Sequence, residues 1–501
     1  MDFQSIVASL HLANLWPEGF ILLTLLVLVS LDLTLNNFSR RWIEAITYGG
    51  LTGALVSLVA IDSTSIPPMT FSGSFQADML SVVFRGFLIL SCGLCVLLSL
   101  EYVEQAGHAL VEFMVLLLTA TLGGMLLAGA NDLVLMFVAL ETLGLSSYML
   151  TGYMKRDARS NEAALKYLLI GGASSSFFLY GVSWLYGASG GHVELDYVAN
   201  ALMATDLSNS LACGIALLLM TVGVGFKLSA APFHQWTPDV YQGSPTPVVA
   251  FLSVGSKAAG LVLTVRMLAT LFPGLTEEWH EIFAILAILS MVIGNVIALA
   301  QTSVKRMLGY SSVAQAGFLL IGLLTGHEEG YSSMILYMLI YILMNLGAFA
   351  CVILFGLRTG TDQIQDYSGL LHKDPFLAVC FTVCLLSLGG IPPLAGFFGK
   401  VYLFWVGWQA GLYTLVMIGL ITSVISIYYY LGVVKIMLVK PRQEMSLSVQ
   451  QYPTRAWAIE ALQPLEVSIL VCVVGSLGIG VAGNSIFNAA SWAVLQTPIL
   501  L

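Results

Sequence analysis

Charge is what this sequence has least of. Only 9% of its 501 residues are Asp, Glu, Lys or Arg, against about 25% in a soluble globular chain. Hydrophobic residues make up 58%, and the mean hydropathy is +0.90. So little polar surface excludes a fold that faces water on every side. Long polar segments are also missing. The longest, 188–210 and 439–465, are short for a folded domain, so a single membrane domain over 1–501 is expected. Several chemistries lack their residues as well. Gly396-x-x-Gly399-Lys400-Val401 has neither the spacing nor the Ser/Thr of a phosphate-binding loop. No dinucleotide fingerprint follows a strand, no histidine cluster has metal-ligand spacing, and no nucleophile stands in register with a base. No redox cofactor and no metal is therefore expected on this chain, and no nucleic acid as a partner.

Cysteine is sparse, with seven residues and no disulfide framework. Cys92-Gly-Leu-Cys95 has the spacing of a redox motif, but it lies in an apolar run with no second CxxC to hold an iron–sulfur cluster. These thiols read as small core hydrophobes. The first sixteen residues contain no Lys or Arg and so lack the positive region of a signal peptide. The first apolar run is expected to stay on the protein as a helix.

Apolar runs are what the chain has in abundance. A bilayer core takes roughly 20 apolar residues per helical span. Runs of that length occur at about 17–35, 42–60, 80–100, 110–129, 131–152, 163–187, 211–231, 247–271, 281–299, 306–325, 330–357, 376–407, 410–438 and 466–486. The reading is an all-α integral membrane protein of about fourteen transmembrane helices, set in a lipid bilayer. The loops alternate in charge. Arg40, Arg41, Lys155, Arg156, Arg159, Lys166, Lys305, Arg306, Arg358, Lys373, Lys435, Lys440, Arg442 and Arg455 fall in or beside one set. The other set has no basic residue; it carries Asp62, Asp78, Glu194, Asp196, Asp206, Glu277, Glu278, Glu281, Glu328 and Glu329. By the positive-inside rule the basic loops face the cytoplasm or its equivalent. Both termini then lie on the other side, as an even helix count also requires.

Two runs are interrupted. One passes through Gly225-Phe226-Lys227 and breaks at Pro232, with Pro238, Pro245 and Pro247 following. Five helices later another breaks at Gly389-Gly390-Ile391-Pro392-Pro393 and resumes through Gly396–Lys400. Broken helices in matching positions mark transport sites in repeat-built transporters, although simple proline kinks are common in membranes. The matching breaks divide the chain into an N-terminal three-helix segment (1–105), a first five-helix repeat (106–275), a second (276–440), and a loop with a last helix (441–501).

Four ionisable side chains lie well inside apolar runs: Glu141, Lys227, Lys257 and Lys400. A charge at mid-bilayer costs on the order of 2.5–3.5 kcal/mol, so each needs a partner or a wet cavity. Three lysines cannot all be ion-paired to one carboxylate, and the surplus points to groups that gain and lose protons. Lysine can release its proton where arginine, effectively always charged, cannot. Arg85 and Arg266 lie near helix ends, where snorkelling and function are both open. His234, just past the first break, is open between proton relay and hydrogen-bonded structural residue. Glu101, Glu104, Glu112 and Asp132 sit near helix ends, where solvated or capping roles are expected.

These residues carry a resemblance. Phe226-Lys227-Leu228-Ser229 and Ala231-Pro232-Phe233-His234-Gln235-Trp236-Thr237-Pro238-Asp239-Val240-Tyr241 resemble the broken-helix motif of the antiporter-like subunits of complex I. So do Ala139-Leu140-Glu141, Lys305-Arg306-Met307-Leu308-Gly309-Tyr310-Ser311-Ser312 and the Gly389–Lys400 stretch. The likeness runs the whole length. Phe71–Gln76, Gly171–Ser176, Gly356–Asp362 and Trp408–Tyr413 bring it nearest to the branch found in the photosynthetic complex of cyanobacteria and chloroplasts, NDH-1.

The resemblance implies fourteen helices with two inverted five-helix repeats, inside a ferredoxin- or NAD(P)H-fed plastoquinone reductase of the thylakoid membrane. It implies that Glu141 and Lys227 form a coupling pair, within hydrogen-bonding or one-water distance. Lys257 would be the central relay, and Lys400 would open to the far side. Another branch carries glutamate at that last position, and this chain carries Lys400. Partners would be the membrane and peripheral subunits of such a complex, with ferredoxin reached through it. Plastoquinone and iron–sulfur clusters would belong to neighbouring subunits. Two other functions stay open from the residues alone: a cation/proton antiporter outside any redox complex, and a non-transporting membrane scaffold.

Overall fold

A computed structural model describes residues 11–35, 39–61, 69–204, 210–452 and 463–497. Asp62, Asp206 and Arg455, the first ten residues and the last four lie outside that set.

Each apolar run becomes a helix because a backbone in lipid must satisfy its own polar groups. The helices are α1 (Trp16–Thr34), α2 (Arg40–Val59), α3 (Met79–Gln105), α4 (Leu110–Gly129), α5 (Leu133–Thr151) and α6 (Ala158–Ala188). After a short α7 (Leu195–Ala204) come α8 (Leu211–Leu228) and the eight-residue α9 (Trp236–Gly243). Next are α10 (Thr246–Leu271), α11 (Thr276–Ala298), α12 (Val304–Leu324) and α13 (Glu328–Thr359). The last are α14 (Pro375–Gly389), α15 (Ala395–Gln409), α16 (Tyr413–Leu438) and α17 (Pro464–Leu495). Among the described residues thirteen helices are long and apolar enough to cross a membrane. The half-length α14 and α15 together make one more crossing, so the fourteen expected spans are present. A two-stranded ribbon, Met69–Thr70 with Phe75–Gln76, lies before α3.

The boundaries differ from expectation in a few places. α11 starts at Thr276, so Glu277 and Glu278 lie in its first turn rather than in a loop. Carboxylates there complement the positive end of the helix dipole. α17 continues to Leu495, past a non-helical Ala482.

Two hairpins match in detail. Asp132 caps α5 by accepting from Leu135 N at 2.6 Å, and Ser303 caps α12 by accepting from Arg306 N at 3.4 Å. At equivalent positions before those caps, Gly123 and Gly294 let the helices touch backbone to backbone. A Cβ on Gly123 would sit 2.6 Å from Leu143 N, and one on Gly294 would sit 2.7 Å from Ala314 N. The residue of α12 equivalent to Glu141 of α5 is Ser312.

The interior is widest around α10, α12 and α13, which are almost wholly buried, whereas α1, α2, α6 and α16 leave apolar faces outward. The seven cysteines are free and buried, in keeping with their reading as core hydrophobes.

Candidate functional site

Both breaks occur where expected, and each frees the carbonyls of a helix end inside the membrane. α8 stops at Ser229, whose φ of 61° is left-handed. α14 stops at Gly390, where φ is 80° and glycine carries no steric penalty. A cis X-Pro bond follows each stop, at Ala231–Pro232 and Pro392–Pro393. The freed carbonyls are satisfied differently. At the first break the indole of Trp236 donates to Phe226 O at 3.2 Å, stacked on Tyr167 at 4.5 Å between ring centres. At the second break Lys400 itself does the work. Its Nζ donates to Leu388 O at 3.0 Å, to Gly389 O at 3.2 Å and to Ser423 Oγ at 3.1 Å.

The three buried lysines therefore have three environments. Lys400 has three acceptors and the face of Phe318 at 5.1 Å. Lys257 has one, the carbonyl of Ser312, and the face of Tyr341 at 5.9 Å. Lys227 has none among the described residues; its chain lies against Gly260 of α10, where a Cβ would come within 3.3 Å of it. An ammonium at Lys227 must be held by water or by a carboxylate across a gap, because an isolated buried charge is prohibitively costly.

Among the described residues Glu141 is the acid whose charge reaches Lys227 through space. No N–O approach within 4.0 Å joins the two among the described residues, so the pair is not in direct contact, and the one-water separation is the part of the expectation that stays open. Glu141 is half-buried, with Oε1 enclosed and unbonded. His234 lies in the turn after the first break, its ring 6.5 Å from that of Tyr310 and its Nδ1 without a partner. No hydrogen bond among the described residues joins it to a lysine.

A line of polar groups runs between Lys257 and Lys400 along α12. Ser312 gives its carbonyl to Lys257 and its hydroxyl to Gly309 O, with Tyr241 OH at 3.3 Å. Ser311 Oγ meets Tyr430 OH at 2.6 Å. One turn further, Gln315 accepts from Tyr337 OH and donates to Leu388 O at 3.4 Å, the carbonyl that also holds Lys400. Beyond Gln315 the helix turns apolar, and the ring of Phe318 packs edge-on against Phe404 at 5.8 Å. The arrangement places groups that can pass or orient protons between the two buried amines.

This geometry has known relatives. Residues 130–426 match the family described as NADH:quinone oxidoreductase/Mrp antiporter, transmembrane region. The chain belongs to that family. NAD(P)H-quinone oxidoreductase subunit 2 from the chloroplast of Nephroselmis olivacea is 63% identical over 504 residues, which is 100% of each chain. The subunit of the same name from Microcystis aeruginosa is 58% identical, over 100% of this chain and 98% of that one. A chain of respiratory complex I from Thermus thermophilus is 33% identical with a TM-score of 0.77, covering 95% of this chain and 99% of that one. A chain of the Mrp complex from Dietzia is 21% identical with a TM-score of 0.79, covering 96% and 97%, and shows the shared fold.

In this family member two arginines need correcting. Neither snorkels. Arg85 is fully buried and pairs with Glu18, while Arg266 is fully buried, pairs with Asp78 at 2.5 Å and donates to Ala128 O at 2.7 Å. They fasten α1 to α3 and α10 to the start of α3. Asp78 also caps α3 through Ser81 N at 2.9 Å. Asp132 caps as expected, and Glu104 pairs with Arg40. On the basic face Asp239 of α9 takes Lys166 and Arg306, each at 2.8 Å. Burial opposes its ionisation, but those two cations outweigh it and hold the carboxyl below its usual value.

Proposed function

We propose that this chain is the proton-translocating, antiporter-like subunit of a plastoquinone-reducing complex I in the thylakoid membrane, with both termini on the lumenal side. The observation that carries the reading is the series of buried polar groups on and around α12 that lies between Lys257 and Lys400. Glu141 and Lys227 form the coupling pair, acting across a gap that water or a small movement of α8 closes. When Glu141 is near, the Lys227 ammonium is held; when it withdraws, the proton moves on towards Lys257. Lys257 is the central relay and Lys400 the group from which the proton leaves.

The two broken helices belong to two five-helix units of opposite orientation, 106–275 and 276–440, behind a three-helix segment. Electron transfer, plastoquinone and iron–sulfur clusters belong to neighbouring subunits, and ferredoxin or NAD(P)H reaches the complex there. His234, in the turn after the first break with its Nδ1 enclosed and unbonded, is the further proton-relay candidate.

The test is Lys227→Met in the assembled complex. Proton uptake by membrane vesicles driven by a quinone analogue should fall at least tenfold while the complex still assembles with its redox subunits. Normal uptake by that variant would refute the transport role and leave a scaffold. Sodium-dependent transport without the redox subunits would favour a free antiporter.

A further inference from the structure

A broken helix frees amides as well as carbonyls, and inside a membrane each freed N–H needs an acceptor. At both breaks one such amide turns to a serine hydroxyl. Ala231 N, the last amide before Pro232, donates to Ser290 Oγ of α11 at 2.8 Å, and Ser290 in turn donates to Leu286 O at 2.6 Å. Beyond the second break Gly396 N, in the first turn of α15, donates to Ser387 Oγ at 3.2 Å. Ser387 Oγ meets Ser476 Oγ of α17 at 3.1 Å. Ser290, Ser387 and Ser476 are each at most 1% exposed.

Ser290 and Ser476 stand in corresponding places. α11 is the third helix after the first break, and α17 is the third after the second. Each serine is followed four residues later by a glycine, Gly294 on α11 and Gly480 on α17. Small residues at that spacing share a face and let membrane helices approach closely. A Cβ on Gly294 would meet Ala314 N of α12 at 2.7 Å, and one on Gly480 would meet Pro393 O, inside the second turn, at 2.6 Å. α17 therefore touches the second break at Ser387 and again at Pro393. It also holds α15 beyond the break, where Tyr402 OH donates to Asn484 Oδ1 and the Tyr402 ring stacks on Phe487 at 4.7 Å between centres.

Both serine contacts lie beside a buried lysine. Ala231 is four residues past Lys227, just beyond the end of α8. Ser387 directly precedes Leu388 and Gly389, whose carbonyls hold Lys400, and Gly396 is one turn ahead of Lys400. A shift of Ser387 thus carries the Lys400 acceptors with it. Proton transfer works only within hydrogen-bond reach, and a misplacement of about 1 Å can cost a hundredfold in rate.

We propose that Ser290 and Ser476 are positioning residues for proton transfer: each hydroxyl, carried by the third helix after a break, fixes the freed backbone beside a lysine and so fixes where that lysine's amine is presented. The inference rests on the reading of Lys227 and Lys400 as proton carriers. Neither serine handles the transported proton. Ser290 acts through Ala231, and Ser476 acts through Ser387.

The test uses the intact complex in native membranes. Ser290→Ala and Ser476→Ala each remove a hydroxyl without adding volume, and Thr at either position restores it. Proton uptake per electron should fall by about fivefold or more in each Ala variant and recover to more than half in the matching Thr variant, with assembly and electron transfer retained. That ratio counts only complex that is assembled and turning over, so a loss of packing alone does not lower it. Ser387→Ala combined with Ser476→Ala should lose no more than the larger of the two single losses, because both act through one contact. Normal uptake per electron in either Ala variant, Thr variants no better than Ala, or additive losses in the double variant each overturn the proposal. Should an Ala variant fail to assemble, Cys at that position decides, since a thiol fills the site but hydrogen-bonds weakly; the same fall is expected there, and normal uptake refutes the role. Lys400→Leu separates the two levels of the argument. Normal pumping in that variant defeats the carrier reading itself, whereas lost pumping there with normal pumping in Ser476→Ala defeats the positioning role alone.

Discussion

Replacing Lys400 with Leu removes an ammonium held by two backbone carbonyls and a serine hydroxyl. Leu388 O keeps the amide of Gln315 at 3.4 Å, so Gly389 O is the carbonyl left bare. A buried acceptor stripped of its partner costs about 1–3 kcal/mol. Against this, a charge is taken out of the membrane interior, which is worth about 2.5–3.5 kcal/mol. The two effects offset each other to within about 2.5 kcal/mol, so the variant should fold and join its complex. Proton pumping should nevertheless fall at least tenfold, because no titratable group is left at the second break. Lys400→Arg should impair pumping as well, since arginine does not release its proton. It must also fit beside Gly390, where the lysine Cδ already lies 3.0 Å from the position of an added Cβ. Proton uptake by vesicles driven by a quinone analogue, normalised to electron transfer, reads both variants. Normal uptake by Lys400→Leu would make the lysine a helix cap and nothing more.

Arg266→Leu leaves Asp78 buried without its cation, and should destabilise the chain by about 3–5 kcal/mol. Assembled complex on a native gel should drop sharply, with partial recovery when Asp78→Leu is added. Gly123→Ala and Gly294→Ala each press a methyl group to within 2.7 Å of a backbone nitrogen, which costs about 1–3 kcal/mol or more; an unchanged melting temperature would refute the close crossing. Gln315→Leu should lower pumping while assembly persists, because it cuts Tyr337 and Leu388 O from the line; unaltered pumping would show that the line does not carry protons. Asp239 has a depressed carboxyl, so its contribution is present above the ordinary value of 3.8 and lost only as pH falls through the lower folded value. The melting difference between the parent and Asp239→Asn should therefore stay constant from about pH 5 to 8, and a slope across that window would contradict the pairing.

Helix positions were legible in the sequence because apolar length is a direct measure of membrane thickness. The breaks at Pro232 and Gly390–Pro393 were legible because glycine and proline act on the local backbone. Lys227, Lys257 and Lys400 stood out because a charge inside an apolar run is costly wherever its helix turns. Which way the helices turn was not legible. Arg85 and Arg266 looked like residues near helix ends, and their acids are supplied by Glu18 and Asp78, far away in the sequence. The tyrosines and Gln315 passed unnoticed because a hydroxyl or amide costs little by itself. Their spacing held a signal: Tyr337, Tyr341 and Asn345 recur every fourth residue of α13, and Ser311, Ser312 and Gln315 share a side of α12. The caps at the two breaks were beyond reach, since nothing local tells that Trp236 closes one and Lys400 the other.

The bare contacts at Gly123 and Gly294 have a mechanical consequence. Where two helices meet through side chains, the methyl and methylene groups between them can change rotamer and absorb a displacement. At these two crossings backbone lies on backbone, and there is no such cushion. The α4–α5 and α11–α12 hairpins are stiff struts, so a push on one arm moves the other by nearly the same amount. Compliance is then left to the turns at 229–235 and 390–394, where the hydrogen-bond ladder is open. Each of those two turns has a lysine beside it, Lys227 in the last turn before Ser229 and Lys400 against Gly390.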